Sequence, residues 1–84
     1  MRTESINLEA NDIVIRIIGR SASGKTTIQE IIDKALTDNG FNVKSEYIDG
    51  KCIHPIEPRI KGLIARNTNI TLHEVSANNI IKIN

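Results

Sequence analysis

The chain has 84 residues, room for one small domain spanning 1–84, and a domain of this size buries only about 60% of the surface its unfolded form exposes. With 39% hydrophobic and 25% charged residues it is not compositionally disordered, and 11 basic against 10 acidic residues give a formal charge of +1, which disfavours a strongly basic nucleic-acid or membrane-surface protein. No apolar run approaches 18 residues, the first residues carry no signal-peptide apolar core, and Cys52 stands alone, so the composition points to a cytoplasmic protein with no transmembrane helix and no internal disulfide.

Seventeen isoleucines stand against two aromatics, Phe41 and Tyr47. Such β-branched enrichment predicts a sheet, although an A/T-rich coding sequence accounts for it equally well. A short edge strand is expected over 4–8, followed by a turn at Asn11-Asp12. The run Ile13-Val14-Ile15-Arg16-Ile17-Ile18, ending at Gly19, reads as a parallel strand buried on both faces.

From Lys25 the period changes from two to 3.6. Ile28, Ile31, Ile32, Ala35 and Leu36 form one helical stripe, and Gln29, Glu30, Asp33 and Lys34 form the opposite face. A helix over 25–38 is predicted, with Gly40 at the left-handed position just past its end. Asn42 to Ile48 reads as a second strand, stopped by Asp49-Gly50. Lys51 to Pro58 is a loop. Arg59 to Arg66 is a short helix, weakened by about 1 kcal/mol at Gly62, with Arg59 and Arg66 on a solvent-facing side or, as the alternative, reaching a phosphate. Ile70 to Val75 alternates as a third strand, and Ile80 to Ile83 is a fourth.

The chemistry lies between the first predicted strand and the first helix. Gly19-Arg20-Ser21-Ala22-Ser23-Gly24-Lys25-Thr26 fits G-x-x-x-x-G-K-S/T at every fixed position, a chance match on the order of a few in a thousand for so short a chain. Gly19 lets the chain leave a strand sharply, and Gly24 lets the backbone approach phosphate oxygens. Loop N–H groups form an anion nest, to which the helix N-terminus adds its dipole and unpaired donors. Lys25 would supply a cation for the β- and γ-phosphates, and the Thr26 hydroxyl can complete a Mg²⁺ shell; the plainer reading is a Gly/Ser-rich βα turn with no ligand. Cys52, His54 and His73 have no zinc-type spacing.

Ser21-Ala22-Ser23-Gly24-Lys25-Thr26-Thr27 resembles the P-loop of uridine kinases and, more loosely, that of adenylylsulfate kinases, with the likeness running over about 13–50. The resemblance implies a minimal α/β P-loop fold in two or three layers, its short, mostly parallel sheet in the order 2-3-1 around 13–18, with the 25–38 helix on one face. It also implies ATP or another NTP with Mg²⁺ as ligands, held by Gly19 and Ser21 through Thr27. Asp49 then stands where such kinases carry an acidic residue at the end of the second strand, and Glu74 where they carry one at the end of the third. Both residues have plainer readings: Asp49 as a turn residue, Glu74 as a surface charge. The chain departs from the pattern as well. Lys51 follows Asp49-Gly50 where the sulfate kinases have a second Asp, and no Asn-Lys-x-Asp guanine signature is present. The whole resembles the first half of a kinase core, condensed.

Two functions follow as expectations. One is a nucleotide-binding protein, a slow NTPase or phosphotransferase if active, with Lys25, Asp49 and Glu74 as catalytic residues. The other is a non-catalytic protein-binding regulator or inhibitor on the same scaffold. An open sheet edge would invite a second copy or another protein as partner, whereas nucleic acid is disfavoured by the charge balance and the scarcity of aromatics.

Overall fold

In a computed structural model the described residues are 4–5, 8–76 and 82–83. They divide into two compact units, one built from 1–16 with 70–84 and the other from 17–69.

The first unit holds a two-residue antiparallel pairing. β1 (Glu4–Ser5) meets β2 (Lys82–Ile83), with Glu4 opposite Ile83 and Ser5 opposite Lys82. The predicted strands 4–8 and 80–83 extend beyond these pairs, and residues 6, 7, 80 and 81 lie outside the described residues. The turn expected at Asn11-Asp12 is present. The Asp12 N–H donates to the Glu9 carbonyl at 3.1 Å, and the Glu9 N–H donates to Asp12 Oδ2 at 3.1 Å.

The second unit is helical. α1 spans Lys25–Asp38 and α2 spans Ile56–Ala65. α1 has the predicted limits, and its C-terminal end carries its own signal. At its C-terminus the Gly40 N–H reaches the Thr37 carbonyl at 2.9 Å and the Phe41 N–H reaches that of Leu36 at 3.1 Å, with Gly40 at φ 96°. This 6→1 and 5→2 pair is the Schellman closure. α2 closes the same way, from Thr68 to Leu63 and from Asn67 to Ile64, each at 3.0 Å, with Asn67 at φ 55°. Its start lies three residues earlier than predicted, because Pro55 occupies the N-cap and Glu57 suits the positive end of the first turn.

The parallel sheet is not there. Among the described residues the 4–5/82–83 pairing is the only ladder, so the α/β expectation with strand order 2-3-1 is corrected, and the kinase-like layered architecture falls with it. Residues 13–18, 42–48 and 70–75 are not paired as strands. The physical reason is that β-branched composition records fit to a half-buried pleated surface, not an autonomous strand. A parallel sheet also needs cover on both faces. Ile13 is 88% exposed and Leu72 82%, so neither residue has that cover.

Packing in the second unit centres on Leu63 of α2 and Thr27 of α1, the two buried residues among those described. The apolar stripe of α1 is divided: Ile28, Ile32 and Leu36 are half-buried, while Ile31 and Ala35 are exposed. The opposite, polar face carries tertiary bonds. Gln29 Nε2 donates to Ser45 Oγ at 3.0 Å and to the Glu46 carbonyl at 2.8 Å, and the Tyr47 hydroxyl donates to Asp33 Oδ2 at 3.2 Å. These bonds lay the segment 45–47 along α1 without a sheet. No helix among the described residues is long and apolar enough to cross a membrane.

Candidate functional site

The loop 19–24 ends at the N-terminus of α1. Gly24 is the N-cap, at φ 100° and ψ 17°, and no side chain caps the helix there. The first-turn donors of α1 therefore lack the usual side-chain acceptor, and the first turn carries no acidic residue.

Within the loop the Ser23 N–H donates to the Arg20 carbonyl at 3.1 Å, closing a turn over Ser21 and Ala22. Ala22 is left-handed at φ 61°. The turn closed at Ser23, followed directly by left-handed Gly24, belongs to the kind of backbone from which anion-binding concavities are made. Lys25 folds back across this turn. Its Nζ donates to the Gly19 carbonyl at 2.9 Å and to the Arg20 carbonyl at 2.8 Å. Gly19 leaves room for that approach, since a Cβ there would come within 2.6 Å of Ser23 Oγ and 3.2 Å of Lys25 Cγ and both side chains would have to shift.

The helix α2 supports the loop from another side. A Cβ on Gly24 would lie 2.5 Å from Leu63 Cδ2, so the leucine packs against the loop backbone itself. Arg66, at the C-cap of α2, donates from Nη2 to the Ala22 carbonyl at 3.0 Å. Arg59 donates from Nη1 to Thr27 Oγ1 at 3.0 Å, and it holds Glu30 through Nη1–Oε2 at 2.6 Å and Nη2–Oε1 at 3.3 Å. The guanidinium beside Glu30, chiefly through its hydrogen bond, holds the carboxyl below its ordinary value. An open groove of about 350 Å³ runs between Ala22 and Gly24 of the loop, Thr27, and Arg59, Leu63 and Arg66 of α2.

The predicted residues sort accordingly. Gly19, Ser21, Ala22, Ser23, Gly24, Lys25, Thr26 and Thr27 are brought together at the start of α1. Thr27 differs from the expectation in being 5% exposed, with its hydroxyl taken by Arg59. Asp49 lies in an exposed bend, and no hydrogen bond or ion pair joins it to the loop. Glu74 is exposed in an irregular segment of the first unit. Among the described residues no three His, Cys, Asp or Glu side chains gather as a metal site. Thr26 brings one hydroxyl to the start of α1, and the carboxylate one turn further along, Glu30, is engaged by Arg59.

Sequence reading missed the α2 contribution. Arg59 was expected on a solvent-facing side; its side chain is 17% exposed and paired. Its partner Glu30 lies 29 residues away, a separation that leaves no periodic or motif signal.

Compared with known proteins, the chain matches no family model, no curated protein and no solved structure.

Proposed function

We propose that the loop Gly19–Thr26 binds the phosphate chain of a nucleoside triphosphate, with ATP as the reference ligand. The observation that carries this reading is the position of Lys25. Its ammonium is folded over the loop onto the carbonyls of Gly19 and Arg20, at the uncapped N-terminus of α1. A flexible cation, a left-handed backbone turn and helix donors without side-chain acceptors in one place make an anion site. Incoming phosphate oxygens draw the ammonium off the two carbonyls and accept from the amides around Gly24. Mg²⁺ enters with the nucleotide, since phosphates and waters fill most of its shell and the chain adds the Thr26 hydroxyl.

Lys25 and Thr26 grip the ground state. Asp49 is not held at the loop, and the two arginines of the α2 region are engaged, Arg59 by Glu30 and Arg66 by the Ala22 carbonyl. The reading is therefore nucleotide binding with at most slow hydrolysis. The test is calorimetric titration of ATP and GTP with and without Mg²⁺ into the wild type and Lys25→Ala. The variant should bind ATP at least about 30-fold more weakly, as expected for loss of a charge-assisted contact. Equal binding by both proteins would refute the reading.

A second reading, a non-catalytic protein-binding module, is favoured by the exposure of apolar residues such as Ile13, Val14, Leu72 and Val75 in the first unit. Light scattering over a range of protein concentration tests whether a second copy is the partner.

A further inference from the structure

We infer that Arg66 is a positioning residue for the anion loop: its guanidinium, on the Ala22 carbonyl, holds Ala22 left-handed and so keeps the loop shaped for phosphate. The inference rests on the phosphate-binding reading of the loop.

Ala22 is the third residue of the turn that the Ser23 N–H closes on Arg20. At φ 61° it occupies a position that turns normally give to glycine or asparagine. Alanine pays a steric cost there, which contacts from outside the turn offset. Lys25 bonds the turn at the carbonyls of Gly19 and Arg20; the contact made on Ala22 itself is the 3.0 Å hydrogen bond from Arg66 Nη2 to its carbonyl.

Arg66 is itself fixed. Its N–H donates to the Gly62 carbonyl at 3.2 Å, and the Schellman closure at Asn67 and Thr68 ends α2 on either side of it. One turn earlier Leu63 lies against Gly24. The C-terminal end of α2 therefore touches the loop at its two left-handed residues, Ala22 through a hydrogen bond and Gly24 through packing.

Charge gives the arrangement a second purpose. Carbonyls at an anion site repel phosphate. Those of Gly19 and Arg20 carry the Lys25 ammonium, and that of Ala22 carries the Arg66 guanidinium. Lys25 must leave its carbonyls to reach a phosphate. Arg66 stays, because its bond shapes the site and is not exchanged for the ligand.

The test uses the full chain, the variants Arg66→Ala, Arg66→Lys and Ala22→Gly, and the double variant Ala22→Gly/Arg66→Ala, with inorganic tripolyphosphate as the probe. Arg66 is exposed, and circular dichroism checks that each variant keeps its helices. In Arg66→Ala the backbone shifts and HN–Hα coupling of Ala22 should leave the left-handed range, and tripolyphosphate affinity should fall roughly tenfold, the equivalent of one net hydrogen bond. Arg66→Lys should retain most of both. The double variant should recover affinity, because glycine takes the left-handed position without help. The inference is overturned if Ala22 stays left-handed in Arg66→Ala. It is also overturned if the double variant binds as weakly as Arg66→Ala, which would mean that the guanidinium acts on the ligand directly. Failure of the wild type to bind tripolyphosphate would instead refute the phosphate reading, and the Ala22 conformation would still decide the role of Arg66.

Discussion

Arg59 and Glu30 join the two helices of the second unit. The guanidinium lies 2.6 Å from the carboxylate, with the side chains 17% and 16% exposed, and it also donates to the hydroxyl of Thr27. One side chain on α2 thus ties down the first two turns of α1, the same turns that carry the anion loop.

This pair sets an acid limit on stability. Arg59 holds the Glu30 carboxyl below its ordinary value of 4.5. A depressed folded-state value stabilises the fold above 4.5, and that contribution is lost as pH falls through the lowered value. Thermal melts should therefore show declining stability below pH 4.5 in the wild type. Glu30→Gln should be less stable at pH 7 and should show a flatter acid limb. An unchanged acid limb in that variant would place the sensitivity elsewhere.

Leu63→Ala should be severe for so small a unit. Leu63 is the buried apolar residue among those described, and it supports Gly24. Truncation of a buried leucine costs about 2–4 kcal/mol. In a domain of this size that lowers the midpoint of a thermal melt by about 10 °C or more. A melt within a few degrees of wild type would mean that the α2–loop packing contributes little.

Gly24→Ala tests the loop geometry directly. The residue has φ 100°, and an added Cβ meets Leu63 at 2.5 Å. Backbone strain and overpacking together should cost about 2 kcal/mol or more. The companion Gly62→Ala, where a Cβ meets nothing within 4 Å, should raise stability by about 0.5–1 kcal/mol through helix propensity. Chemical denaturation of the two variants should move in opposite directions.

The helices were readable because their signals are local. The 25–38 stripe and Gly40 each act within a few residues, and α1 and its closing turn appear where those signals lie. The G-x-x-x-x-G-K-T spacing likewise placed the loop at the start of α1. The sheet was not legible, because the continuous apolar run of Ile13–Ile18 and the alternation of Ile70–Val75 are local patterns, whereas a strand exists only through a partner, and partners are set by tertiary context. The Arg59–Glu30 and Arg66–Ala22 contacts join residues 29 and 44 positions apart. Nothing in a single sequence encodes such pairings.

Turnover should be slow. P-loop nucleotide hydrolysis without an arginine at the transferred group proceeds at or below about 0.01 s⁻¹, and a supplied guanidinium adds about 10³–10⁵. Arg59 and Arg66 both have other work here. Phosphate release from ATP followed across protein concentration should stay at or below that rate for the dilute protein. Fast turnover would require an arginine at the transferred group, either Arg20 of the loop turned inward or one of these two released from its contact.

The most direct test of the central claim, that the loop is a phosphate site, is a titration of ¹⁵N-labelled wild type and Lys25→Ala with tripolyphosphate, reading the amide resonances. The account predicts saturable shifts concentrated at Ser23, Gly24, Lys25, Thr26 and Thr27 in the wild type, and strongly weakened ones in the variant. Shifts scattered over the surface lysines and arginines, or no saturable shift at millimolar ligand, would contradict it.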